Sequence, residues 1–230
     1  MIEEPKLVIV VQTIFRKAQV EHPYAGFYAE LCTQICRLEM LIRGIKPTKN
    51  NIKKCDFRKQ MLQYCKESFE ALLETPLTEE KKANETEEDR QERDIKKKHK
   101  LFGNIEFVGE LIKASIVTDQ IMQSVFFSLL GIDQATDTSV NDNTCEAAIR
   151  LISKLGITLD GRIQETKEED KRAKLQGLMN KIYDRLRELQ TLNPEDPKNR
   201  VSLRIKILIK NMFADRDAGW KKSKDEDKRI

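Results

Sequence analysis

The chain has 230 residues, enough to bury a sizeable core as one domain or one stretch of solenoid. Nine glycines and six prolines are too few for the turns of a sheet built from many short strands, so helix is favoured before any pattern is read. The 42 basic and 38 acidic side chains nearly cancel, leaving a net charge of +4, and a slightly basic total does not by itself indicate nucleic acid.

Apolar residues recur at three- and four-residue steps, the spacing that puts them on one face of a helix. Val8, Val11, Phe15 and Ala18 predict the first helix; Tyr28, Leu31, Ile35, Leu38 and Ile42 the second; Phe57, Met61, Cys65, Phe69 and Leu72 the third. Leu101, Ile105, Val108 and Ile112 predict the fourth, and Met122, Val125 and Leu129 the fifth. Cys145, Ile149, Ile152 and Leu155 predict the sixth, Leu175, Met179, Ile182, Leu186 and Leu189 the seventh, and Val201, Ile205, Leu208 and Met212 the eighth.

Breakers divide these stripes at His22-Pro23, 44–51, Thr75-Pro76, 131–143, 156–161 and 193–197. Thr118 with Asp119, Asn143 with Thr144, and Asn199 sit where helix N-caps are expected. Eight helices that each keep a charged face are better accommodated by stacked pairs than by a bundle around one centre. The stretch 76–100 is almost all charged and amide side chains, so burial cannot offset the entropy of ordering it. It is expected to be a mobile insertion, helical at most at its end. Residues 1–222 then form a single domain, followed by a charged tail at 223–230.

The start, with Glu3 and Glu4, is acidic and leads into only five apolar residues, Leu7 to Val11, unlike a secretory signal, and no uninterrupted apolar run approaches the ~18 residues of a spanning helix. A soluble protein without membrane association is expected. The five cysteines, Cys32, Cys36, Cys55, Cys65 and Cys145, are an odd set without a CxxC pair and read as reduced thiols of the cytoplasm. Cys32 and Cys36 lie one turn apart, but nothing in the sequence completes a metal site with them.

Of two histidines, His22 precedes a proline and His99 lies inside a lysine run, so neither is placed for acid–base catalysis. Gly103 and Gly109 bracket Asn104 to Val108 without a phosphate-loop pattern, and Gly109 reads as a point of close helix approach. Lys96, Lys97, Lys98 and Lys100 could hold several phosphates or simply balance the acidic stretch before them. Arg200, Arg204, Lys206 and Lys210 form a second basic patch on the last helix, without aromatic residues for base stacking. Trp220, the sole tryptophan, either caps the end of the array or offers a partner a flat apolar anchor. These features imply a non-enzyme with no cofactor, no metal and no small-molecule substrate.

Three segments carry a family resemblance. Glu21 to Cys32, with His22-Pro23-Tyr24-Ala25, and Phe57 to Glu70, beginning Phe57-Arg58-Lys59, resemble helices of the middle domain of eukaryotic translation initiation factor 4G. Gly103-Asn104-Ile105-Glu106-Phe107-Val108-Gly109-Glu110-Leu111 is similar to the most specific motif of that domain, and here too it follows a charged insertion. Weaker echoes occur at 145–160 and 204–220. The resemblance implies a right-handed HEAT-repeat α-solenoid of about eight helices, its first repeat incomplete, acting as a scaffold in cytoplasmic translation initiation. The implied partners are the DEAD-box RNA helicase initiation factor 4A, initiation factor 3 and mRNA. The helicase-contacting helix of the family falls on Arg204, Ile207 and Leu208, with Ile207 in place of an aromatic residue. Two other readings share the helices: a related HEAT module of mRNA decay, splicing or poly(A)-binding-protein regulation, and a general RNA-binding helical domain.

Overall fold

A computed structural model of the chain describes residues 4–48, 51–74, 86–132, 140–192 and 201–220. It is all-α, as the sequence predicts, with eight α-helices and no strand among the described residues. They are α1 (Glu4–Val20), α2 (Ala25–Ile42), α3 (Asp56–Glu74), α4 (Glu87–Lys113), α5 (Asp119–Leu130), α6 (Asp142–Glu165), α7 (Glu169–Thr191) and α8 (Leu203–Asp217). The chain divides into two compact units, Met1–Met122 and Gln123–Ile230, the boundary falling within α5. No helix among the described residues is long and apolar enough to cross a membrane.

In the first unit α1 and α2 each pack against both α3 and α4. Phe15 of α1 meets Tyr64 of α3 and Phe107 of α4 edge to face, at centroid separations of 5.1 and 5.4 Å. Each such pair contributes about 0.5–1.5 kcal/mol beyond its buried area. A close helix approach is found at Gly103, where an added Cβ would lie 2.0 Å from the Gln19 carbonyl oxygen. Only a residue without a side chain lets α4 come this near the end of α1.

The second helix departs from its predicted face. Ala25, Ala29, Cys32, Cys36 and Met40 are its buried positions, whereas Leu38 and Ile42 are 58% and 73% exposed. Both sides of α2 are apolar, so periodicity alone had two solutions, and the packing took the side with the smaller residues.

Helix α4 begins fourteen residues earlier than its apolar stripe, at Glu87, within the segment expected to be mobile. A capping box starts it: the Asp89 N–H donates to Thr86 Oγ1 and the Thr86 N–H donates to Asp89 Oδ2, each at 3.1 Å. Glu87, Glu88 and Asp89 also suit the positive end of the helix dipole. The earlier part of the predicted insertion, 76–85, and the tail at 223–230 lie outside the described residues.

The second unit is held by α6, α7 and α8, which pack on one another. Asn141, not Asn143 or Thr144, is the N-cap of α6, and Thr144 is its capping-box partner three residues on. At α5, Thr118 Oγ1 accepts from the Ile121 N–H at 3.3 Å, as expected of a cap. The expected break at 156–161 is absent: α6 runs through both glycines to Glu165. The expected cap Asn199 lies outside the described residues.

Candidate partner-binding surface

Helix α8 buries Ile205, Ile209 and Met212 and turns the opposite side to solvent. Leu203 and Ile207, one turn apart, are 74% and 50% exposed. Lys210 continues that open side, Arg204 and Leu208 line one edge of it, and Lys206 lies at the other. The structure thus brings Arg204, Ile207 and Leu208 onto contiguous surface. Leu203 is the residue that sequence reasoning missed, although its place four before Ile207 was the available signal.

Arg204 is held in position from below. Its guanidinium donates to Glu146 Oε2 on α6 at 2.6 Å, and Arg150 donates to Glu146 Oε1 at 2.9 Å. Glu146 is buried, so the two arginines supply the compensation its charge requires. The hydrogen bond to Glu146 raises the pKa of Arg204 above its ordinary value. Half of the Arg204 side chain still faces solvent.

The rest of the expected basic patch disperses. Lys206 Nζ donates to the carbonyl of Leu192, at the C-cap of α7, which engages it in the fold. Lys210 is exposed, and Arg200 lies outside the described residues.

Trp220 turns inward and is 8% exposed. The end of α8 forms a Schellman turn: Trp220 N–H donates to the Asp215 carbonyl at 2.6 Å and Gly219 N–H to that of Arg216 at 2.8 Å. Gly219 takes φ +73°, the left-handed conformation that turn needs. The chain is thereby reversed so that the indole lies on Gly156 of α6 and its Nε1 donates to Asp160 Oδ2 at 2.7 Å. Beside it the Arg216 guanidinium sits 3.9 Å from the centroid of the Tyr183 ring.

In the first unit the lysine run lies within α4, where a hundred degrees per residue separates its members around the helix. Lys96 and Lys100 are exposed on one side, and Lys97 and Lys98 are half-buried. Lys96 pairs with Glu92 at 2.7 Å, and Lys98 Nζ lies 5.3 Å from the Phe102 ring centroid. His99 stacks on His22, from the turn between α1 and α2, with ring centroids 4.1 Å apart. Among the described residues no group of three or more His, Cys, Asp and Glu could hold a metal ion.

Comparison with known proteins agrees with this architecture. The MIF4G domain family matches residues 4–216. The chain is 26% identical to eukaryotic translation initiation factor 4G of Arabidopsis thaliana, over 92% of this chain and 11% of that protein. It is 27% identical to the factor of the same name from Triticum aestivum, over 95% of this chain and 13% of that protein. Eukaryotic translation initiation factor 4 gamma 1 of Mus musculus is 26% identical, over 94% of this chain and 12% of its own length. The chain therefore spans only about an eighth of the length of these relatives.

Proposed function

Because the chain belongs to the MIF4G domain family, we propose that it is a scaffold of translation initiation whose α8 surface binds the DEAD-box RNA helicase initiation factor 4A. The observation that carries this reading is the exposed pair Leu203 and Ile207 beside an Arg204 already fixed by Glu146. Protein–protein binding energy concentrates in a few apolar and arginine contacts that lose water on docking. An arginine held in place before binding has less conformational freedom to lose.

Chemistry in this reading belongs to the helicase. The scaffold orders a mobile partner and so lowers the entropic cost of its active arrangement. Contacts with mRNA and initiation factor 3 are auxiliary: Lys96, Lys100 and Lys210 are the exposed cations that suit phosphate contacts.

The test is the ATPase rate of the helicase with and without this protein. Stimulation by the wild type that disappears with Ile207→Asp supports the proposal, and a helicase rate unchanged by any concentration of the wild type rejects it. Recovery of decay or splicing factors from extract, without the helicase, would favour the related HEAT modules instead.

A further inference from the structure

Helix α2 buries its small residues, Ala25, Ala29, Cys32 and Cys36, together with Met40, and leaves a larger apolar face in water. Phe27, Leu38 and Leu41 are each more than half exposed, and Leu31 between them is partly so. With Gln34 they follow one another at steps of four, three, four and three residues, the heptad spacing of a two-helix seam. A surface helix needs one apolar side for its own core, and α2 carries a second.

The charges beside this seam are arranged on one flank. Glu30 and Arg37, seven residues apart, occupy the same heptad position and are both exposed. Gln34 donates to Glu30, which draws its amide toward that flank. Arg37 has no partner among the described residues. On the other flank stand Tyr28, Ile35 and Ile42, which carry no charge.

We propose that this face of α2 binds the same face of a second copy of the chain, the two helices running antiparallel about a twofold axis between Leu31 and Gln34. In that pairing Phe27 of each copy packs on Leu38 of the other, and Leu31 on Gln34. Antiparallel helices related by such an axis bring like flanks together, so Glu30 of each copy stands opposite Arg37 of the other, twice by symmetry. A parallel pair would set the charged flank against Tyr28, Ile35 and Ile42 and leave all four charges unmatched. The charge pattern is thus complementary to itself, which is what selects a second copy as the occupant.

Helix α2 is already packed against α3 and α4, so dimerisation has no backbone to order. One helix face covers less than the roughly 800 Å² per partner of a standard interface, and association in the micromolar range is expected.

The experiment is sedimentation of the full chain from about 1 to 200 μM, a range that spans such an equilibrium by mass action. The average mass should rise with concentration from one chain toward two, and Leu38→Asp should abolish the rise. Glu30→Arg and Arg37→Glu should each weaken the dimer about threefold to tenfold, because like charges then face one another at two places. An equimolar mixture of those two variants should restore association, since each chain presents the charge that the other lacks. A chain that stays monomeric at every concentration would overturn the proposal and leave the face to a foreign helix. A dimer that Leu38→Asp does not weaken would place the contact elsewhere, and a mixture no more associated than its components would exclude the antiparallel pairing. The charge variants alter exposed side chains only, so the mixing result decides even if Leu38→Asp fails to fold.

Discussion

The indole of Trp220 lies so close to Gly156 that a Cβ added there would stand 2.2 Å from Trp220 Cε2. Gly156→Ala must therefore displace the ring and break its bond to Asp160. A loss of about 1–3 kcal/mol is expected from overpacking, read by chemical denaturation. Since Trp220 is the only tryptophan, its fluorescence reports the same event, shifting to the red as the ring meets water. An unshifted spectrum and unchanged stability would show that the ring does not pack there.

Glu39 is expected to shape stability at acid pH. Burial pushes its carboxyl up, but hydrogen bonds from Cys55, Asp56 and Phe57 outweigh this and leave it below its ordinary value of 4.5. A depressed folded pKa contributes stability that is present above the unfolded value and lost as pH falls through the folded one. Glu39→Gln should thus flatten the pH dependence below about pH 5. Glu39→Ala should cost about 1–3 kcal/mol at neutral pH, because two N–H groups at the start of α3 lose their acceptor. A stability curve against pH that is identical in wild type and Glu39→Gln would contradict this role.

Asn104 is fully buried on α4, and neither atom of its amide has a hydrogen-bond partner among the described residues. Replacing an unsatisfied buried polar group by an apolar one of similar size removes a desolvation penalty. Asn104→Leu is expected to raise stability by about 1–2 kcal/mol, measured by urea denaturation. A loss of that size would mean that the amide is satisfied in solution.

In most helices the sequence disclosed the apolar face because one side is clearly apolar and the other charged, whereas on α8 Leu208 of the expected stripe is only half-buried and Ile209 is buried instead. Phe57, Met61, Cys65 and Phe69, for example, are all buried as expected. The second helix was not legible: Leu31, Ile35 and Leu38 outrank Ala29, Cys32 and Cys36 in size, and only the closeness of α3 and α4 selects the smaller set. Gly156 read as a helix breaker because its reason is Trp220, a residue far along the chain. The start of α4 was legible in Thr86 and Asp89, three apart, but the charged composition of the segment obscured it. On α8, Arg204, Ile207 and Leu208 came from family resemblance, and neither the burial of Glu146 nor its clasp on Arg204 was visible in spacing.

That clasp carries its own prediction. Glu146→Gln keeps the side-chain shape but removes the charge and turns one of its two acceptors into a donor, so helicase affinity should fall by about threefold to tenfold with little change in the apolar contact. Glu146→Ala is expected to be worse for stability, because the hydrogen bonds from both Arg150 and Arg204 to the buried carboxylate are lost. Equal helicase affinity for wild type and Glu146→Gln would show that fixing Arg204 does not matter to binding.

The most direct measurement is a calorimetric titration of initiation factor 4A with the wild type, Ile207→Asp and a Leu203→Asp, Ile207→Asp double variant, each checked for unchanged helicity. The account predicts a complex with the wild type, at least about tenfold weaker binding for the single variant and none measurable for the double. Equal affinity for all three proteins would place the helicase elsewhere on the molecule, and no heat of binding with any of them would contradict the scaffold reading itself.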